Sequence, residues 1–264
     1  HSTRENDEEK YYCTAFPIGT LLASTWNKEL VNEVGRAMGS EALEYGVDLI
    51  LGPGVNIHRH PLCGRNFEYY SEDPLLTGEM GAAMVNGIES NDVGATPKHF
   101  VANNQETSRN INNSIVSNRA MREIYLKGFE IIVKKSQPWA IMSSYNKVNG
   151  VYTSESKQLL TDILRNEWGY EGIVMTDWFG GNNVSEQIKA GNDLLEPGTK
   201  NIWDNLIKAH EDGDLSLKEI DLSVSRILGL IIKSNKMSNY DFTNEPDLNK
   251  NAIINRRSAS EGMV

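Results

Sequence analysis

The sequence predicts an α/β fold, a TIM-like (β/α)8 barrel, and three observations carry that expectation. Short apolar segments alternate along the chain with stretches of helical period, the order of βα units and not of an all-helical or all-β domain. Gly172, Ile173, Val174 and Met175 are apolar or small without interruption, as in a parallel strand buried on both faces. Polar residues arrive only at the end of that run, as Thr176, Asp177 and Trp178, and a barrel keeps its chemistry at the carboxyl ends of its strands. Taken alone, Asp177 fits a helix cap or a partner for a neighbouring cation as well as it fits a catalytic carboxylate. The 264 residues can bury a full core, whether as one barrel or as two smaller domains.

The elements follow in order. Asn27 is placed to cap a helix whose face is Leu30, Val34, Met38 and Ala42, ending at Gly46, and Val47 to Leu51 read as the next strand. Asp73 and Pro74 supply a cap and a first-turn proline for a helix through Ile88, and Gly94 to Phe100 follow as a strand that delivers Lys98 and His99. Ser117 opens a helix with Met121, Ile124, Tyr125, Phe129 and Ile132 on one face, before a strand from Ala140 to Tyr145. Ser154 precedes Leu159, Leu160, Ile163, Leu164 and Trp168 at helical spacing, and Gly169 stops that helix just before the strand ending in Asp177. A short strand is expected at Asp193 to Leu195. Ser216 and Glu219 form a capping box for a long helix whose Ile220, Val224, Ile227, Leu228 and Ile231 should face the barrel. Residues 234–248 are polar, contain Pro246 and read as a surface linker, with a further helix from Asn249.

Composition excludes several classes. A net charge of -10 argues against a nucleic-acid surface, which needs clustered Lys and Arg, and says nothing against an uncharged ligand such as a sugar. No apolar run approaches the roughly 18 residues of a membrane helix, so no membrane partner is expected. Cys13 and Cys63 are too few for a disulfide scaffold and read as free thiols. The first residues show no apolar signal segment, and localisation stays open. His58, Arg59, His60 and Cys63 lack the second ligand cluster a metal site needs, so neither metal nor cofactor is expected.

Four strand ends deliver polar groups that can meet in one pocket: Arg65 with Glu68, Lys98 with His99, Tyr145 with Asn146, and Asp177 with Trp178. That mixture suits a sugar, because cations donate to hydroxyls, His and Asn orient them, and aromatic faces pack on C–H surfaces. Arg65 and Lys98 near Asp177 favour its ionised form, the form that a retaining glycosidase uses to attack an anomeric carbon. Each residue also has a plainer reading, Lys98 and His99 as a surface pair, Tyr145 and Trp178 as core aromatics.

The chain resembles the barrel domain of glycoside hydrolase family 3, which includes β-glucosidases and exo-acting glucanases. The resemblance runs in family order through Thr14-Ala15-Phe16-Pro17, Gly52-Pro53-Gly54-Val55-Asn56-Ile57, Gly64-Arg65-Asn66-Phe67-Glu68, Ser71-Glu72-Asp73-Pro74, Lys98-His99-Phe100, Met142-Ser143-Ser144-Tyr145-Asn146 and Asp177-Trp178. It implies that Asp177 is the nucleophile and that Arg65, Lys98, His99, Met142, Tyr145 and Trp178 line the nonreducing-end sugar site. Lys98 and His99 are adjacent, and adjacent residues of a regular strand point to opposite faces. An unusual backbone is therefore expected there, a non-proline cis peptide being one form.

Both chain ends depart from the family pattern. Of its Asp-Gly-Pro-His-Gly-x-Arg-like motif, whose Asp binds sugar hydroxyls, only His1 and Arg4 fit, so the first barrel strand is expected to be missing or irregular. Arg257 to Val264 resembles the run into the family's second domain, an α/β sandwich. The expectation is a barrel over 1–233 and, over 234–264, a linker and the start of the connection, in a chain cut from a larger enzyme. The loop Val101 to Arg109 has no second His, which favours the glucosidase-like members over the N-acetylglucosaminidase-like ones. In the former the acid/base is a carboxylate of the following domain, and Glu106 is read as a structural partner of Arg109. Two other readings stay open on the residues: a Schiff-base aldolase using Lys98, and a sugar-binding domain without catalysis.

Overall fold

The computed structural model describes residues 11–263, so His1 and Arg4 of the expected amino-terminal motif lie outside the described residues. Helices and mostly parallel strands alternate, an α/β architecture. Leu49–Ile50 pairs in parallel with Gly94–Ala95, Lys98–Phe100 with Ala140–Ser143, and Ala140–Ser143 with Ile173–Thr176. Single bridges extend this series, Gly54 to Lys98 and Met175 to Leu194. Among the described residues the ladders form one two-stranded and two three-stranded sheets; they do not by themselves close an eight-stranded barrel.

Alternation across the central strands separates two cores. Ile141 and Val174 face the large cluster beneath the helices, where Phe100, Phe129, Leu160 and Leu164 are fully buried. Ala140, Met142, Ile173 and Met175 face the other way and pack with Leu49, Leu194 and Leu230. Burial on both faces explains the uninterrupted apolar run before Asp177.

The caps read from sequence form as hydrogen bonds. Asn27 Oδ1 accepts from the Leu30 N–H at 3.0 Å, and Asp73 Oδ1 accepts from Leu75 and Leu76, opening helices Lys28–Glu44 and Pro74–Glu89. Ser216 and Glu219 make both bonds of the capping box before Leu217–Lys233.

Other expectations are corrected. The strand from Gly94 to Phe100 is two strands with different partners, because Pro97 has no N–H to continue a ladder. The helix after Ser117 contains a π-helical turn, Met121–Tyr125, before Lys127–Ser136. Ser154 lies in a 3₁₀ turn; Ser156 Oγ instead accepts from Leu159 N–H, ahead of the Gln158–Glu167 helix. At Asp193 to Leu195 only the Leu194 bridge forms. The helix Leu217–Lys233 turns Ser223 inward and packs Leu230 against the strands; of the expected face Ile220 and Ile227 are half-buried, whereas Val224, Leu228 and Ile231 are exposed. Residues 234–247 are irregular, and Tyr240 and Thr243 bond Glu44 of the first long helix; Leu248–Gly262 then forms the expected last helix.

Candidate active site

Asp177 directly follows the Ile173–Thr176 strand and is 7% exposed. Its own N–H bonds the carbonyl of Ser143 on the neighbouring strand at 3.1 Å, and Gly180 N–H closes a turn onto its carbonyl at 2.9 Å. Phe179 holds a left-handed φ of 61° in that turn, leaving Trp178 half-exposed at the rim. The two carboxylate oxygens differ. Oδ1 accepts the Trp178 N–H at 2.8 Å, whereas Oδ2 is buried without a hydrogen-bond partner among the described residues.

A loop with a 3₁₀ turn, Asn66–Glu68, and the Lys98–Phe100 strand bring cations to this carboxylate. Glu68 braces two of them, accepting from Arg65 Nε at 2.5 Å and lying 3.8 Å from Lys98 Nζ. Lys98 and His99 are joined by a cis peptide bond. His99 is 1% exposed, with Nε2 at 3.5 Å from Asp177 Oδ2. Its backbone is gripped at both polar atoms by Asn56, whose Oδ1 accepts the His99 N–H and whose Nδ2 donates to its carbonyl, each at 2.9 Å. Tyr145 is buried beside Asp177, and Arg109 lies over its ring, 4.4 Å from the centroid.

Electrostatics sharpen these roles. Burial raises the Asp177 pKa, against the lowering effects of the Trp178 N–H, the Tyr145 hydroxyl, Arg65 and Arg109. Burial thus outweighs the cations expected to keep it low. Burial also lowers Lys98, with Glu68 opposing, and drives His99 well below the usual imidazole value, helped by Arg65, Lys98 and Arg109. His99 is therefore neutral. The Tyr145 hydroxyl is pushed up to about 12, by burial and then by Asp177, and remains a donor.

Arg65, Lys98, His99 and Tyr145 thus gather around Asp177, and Trp178 stands at the edge. Met142 differs: it is 2% exposed and packs within the smaller core, on the strand next to Lys98. Arg109 was legible only as a partner of Glu106, which it bonds at 2.8 Å; its place over Tyr145 depends on a loop whose path no period signals. Tyr69, Asn56 and Asn103 around His99 were also missed, since a buried polar residue has no sequence mark that separates it from a surface one. His58 bonds the Asn66 carbonyl, and no cluster of three or more His, Cys, Asp or Glu able to hold a metal occurs among the described residues. A groove of about 830 Å³ opens beside the site, with Gly64 and Glu106 on its wall; Asp177 does not line it.

A buried carboxylate at a parallel-strand end, ringed by cations, a neutral His and aromatic faces, makes a site suited to a polar ligand. The chain matches the description "Glycosyl hydrolase family 3 N terminal domain" over residues 7–230, and it belongs to that family. It is 44% identical to thermostable beta-glucosidase B of Acetivibrio thermocellus over 254 residues, 95% of this chain and 33% of that protein. It is 42% identical to an exo-alpha-(1->6)-L-arabinopyranosidase of Bifidobacterium breve, over 100% of this chain and 35% of that protein. Beta-glucosidase 3B from Thermotoga neapolitana, solved in complex with glucose, superposes with a TM-score of 0.95 at 54% identity, covering 98% of this chain and 38% of that one. The chain thus spans about a third of the length of the relatives it matches.

Proposed function

We propose that this chain carries the nucleophile of a retaining glycoside hydrolase that removes nonreducing-end β-D-glucosyl residues from β-glucosides or short β-glucans. The observation that carries the reading is the asymmetry of Asp177: one oxygen is held by a backbone N–H, and the other is left without a partner beside Arg65, Lys98 and Arg109. In the first step Asp177 Oδ2 bonds the anomeric carbon as the glycosidic C–O bond breaks, and the leaving oxygen takes a proton from a general acid. In the second, water returns a proton to that group and bonds the same carbon, freeing Asp177. Arg65 and Lys98 hold the sugar hydroxyls, His99 and Tyr145 face the carboxylate, Trp178 forms part of the wall, and Met142 backs the site from the smaller core.

In this reading the parallel strands are staves of a (β/α)8 barrel over 1–233, with 234–264 leading toward a further domain that supplies the acid/base. About two-thirds of the relatives' length has no counterpart in this chain, which leaves room for such a domain. Burial lowers the Lys98 pKa despite Glu68, as a Schiff-base lysine would also need, so the preference for a glycosidase over an aldolase rests on the beta-glucosidases among the relatives. Glucose is preferred to arabinose because of the glucosidases among the relatives.

The test uses the full-length protein that carries these residues. Asp177→Asn should lower kcat/KM by about 10⁴-fold or more while product sugar still binds. A 2-deoxy-2-fluoro-β-glucoside should leave an ester on the peptide containing Asp177. An adduct on another carboxylate, or near-normal turnover by the variant, overturns the assignment.

A further inference from the structure

A neutral imidazole carries one N–H, and its position decides whether His99 attracts or repels the carboxylate it faces. Nε2 is the nitrogen toward Asp177 Oδ2, at 3.5 Å. Nδ1 lies 3.3 Å from Asn56 Oδ1 and 3.4 Å from the Tyr69 hydroxyl. Two arrangements compete. In one, Nδ1–H donates to Asn56 and Nε2 turns a lone pair toward a carboxylate lone pair. In the other, Tyr69 donates to Nδ1, and Nε2–H points at Oδ2.

The surrounding contacts favour the second. Asn56 Oδ1 is already engaged by the His99 backbone N–H at 2.9 Å, a shorter contact than the one to the ring. Tyr69 has its proton to give, because Asn103 Nδ2 donates to the hydroxyl oxygen at 3.3 Å. The Asn103 amide is oriented in turn by Glu106, whose Oε1 accepts from Nδ2 at 3.3 Å and whose Oε2 is held by Arg109 at 2.8 Å. Donation therefore runs in one direction, from Asn103 through Tyr69 and His99 to Asp177. Tyr69 and Asn103 are 0% exposed, so bulk solvent cannot replace the hydroxyl. Burial raises the Tyr69 pKa far above neutrality, which keeps it a donor.

We infer that Tyr69, oriented by Asn103, is a positioning residue that holds His99 in its Nε2–H tautomer and so aims a donor at the unpaired oxygen of Asp177. The inference rests on Asp177 being the nucleophile. Removing the Tyr69 proton frees the ring to adopt the Nδ1–H form, which places two lone pairs against each other and makes ionised Asp177 harder to form. The cations facing this carboxylate are Arg65, Lys98 and Arg109. Glu68 and Glu106 offset them, and the Tyr145 hydroxyl and Trp178 N–H complete its surroundings. Tyr69→Phe leaves all of these in place.

Three measurements on the full-length protein decide the matter. In the unmodified protein the ¹⁵N shifts of the His99 ring, assigned by their loss in His99→Gln, should show a protonated Nε2; a protonated Nδ1 overturns the inference. Tyr69→Phe should lower kcat/KM about 10- to 100-fold, change the Ki of product sugar less than about two-fold, and move the acid limb of the kcat/KM profile up by about half a pH unit or more. An unmoved acid limb overturns it even if the rate falls, since a purely structural loss does not change the nucleophile's titration. If Tyr69→Phe does not fold, Asn103→Asp replaces it: the new carboxylate accepts the Tyr69 O–H hydrogen bond, and the ring should switch to Nδ1–H. A ring that keeps Nε2–H overturns the inference. Asp177→Asn, run in parallel, separates the two claims, because turnover by that variant sinks the proposed function itself.

Discussion

Asp177 joins two demands that pull its chemistry in opposite directions. Burial strengthens every contact a sugar would feel there, and the same burial raises the carboxyl pKa against Trp178 N–H, Tyr145, Arg65 and Arg109. The acid limb of kcat/KM should therefore lie above the ordinary aspartate value of 3.8, with activity lost as pH falls through it. Arg109→Met removes a cation that lowers this pKa, so it should move the limb further up; a pH–rate profile shifted downward contradicts this. Glu68 is the second informative residue, because a single carboxylate positions both Arg65 and Lys98. Glu68→Gln should raise KM about 10-fold with a smaller change in kcat, as expected for losing charge-assisted contacts worth about 1.5–3 kcal/mol. Steady-state kinetics with an unchanged KM would show that the two cations hold their places without it.

At the scale of elements, the strand carrying Asp177 is fixed from its far end. Asp193 is fully buried and accepts from Arg165 at 2.6 Å, Arg226 at 3.0 Å and the Val174 N–H at 2.8 Å, tying that strand to two helices. Asp193→Asn leaves two partly buried guanidinium groups without their counter-charge and should cost about 3–5 kcal/mol, read from denaturant unfolding. The helices Lys28–Glu44 and Pro74–Glu89 meet through glycines. A Cβ at Gly87 would collide with the Asn32 carbonyl and come within 2.9 Å of Gly35 Cα. Gly87→Ala gains about 1 kcal/mol of helix propensity. The overpacking it causes costs about 1–3 kcal/mol, so the variant should be no more stable and is expected to melt lower. A raised melting temperature would show that the helices separate freely.

Over the whole molecule, one buried acid outside the site should make stability depend on pH. Glu89 Oε1 accepts the N–H groups of Ala95 and Trp139, joining two strand entries, and burial raises its pKa to about 7 despite those bonds and Lys233. A folded value above the ordinary 4.5 means its contribution is complete below about pH 4.5 and is lost as pH rises through about 7. Glu89→Gln keeps an acceptor and removes the titration. Its melting temperature should match the parent at pH 5 and exceed it at pH 8; equal differences at both values would contradict the linkage.

Much of this architecture was legible in the sequence because it is written in local, short-range chemistry. Asn27, Asp73, Ser117 and the Ser216 and Glu219 pair announce their helices through bonds made within three residues. The run from Gly172 to Met175 announces a strand buried on both faces, and polar residues at strand ends and in the loop before Glu68 point to Arg65, Lys98, His99, Tyr145 and Asp177 as one group. Periodicity failed where a neighbour decides the outcome: Leu217–Lys233 has an apolar stripe, yet packing turned Ser223 inward and left Leu228 outside. Pro97 divided a strand that composition alone would have continued. The arrangement around Asp177 belongs to tertiary structure, since Asn56, Tyr69, Asn103 and Arg109 come from distant positions and acquire their roles only when folding removes water from them. The sequence by itself determined which groups stand at the strand ends. Only the fold decided which oxygen of Asp177 stays unpaired and which residues surround it, because hydrogen-bond direction and burial are properties of contacts between segments and not of any one segment.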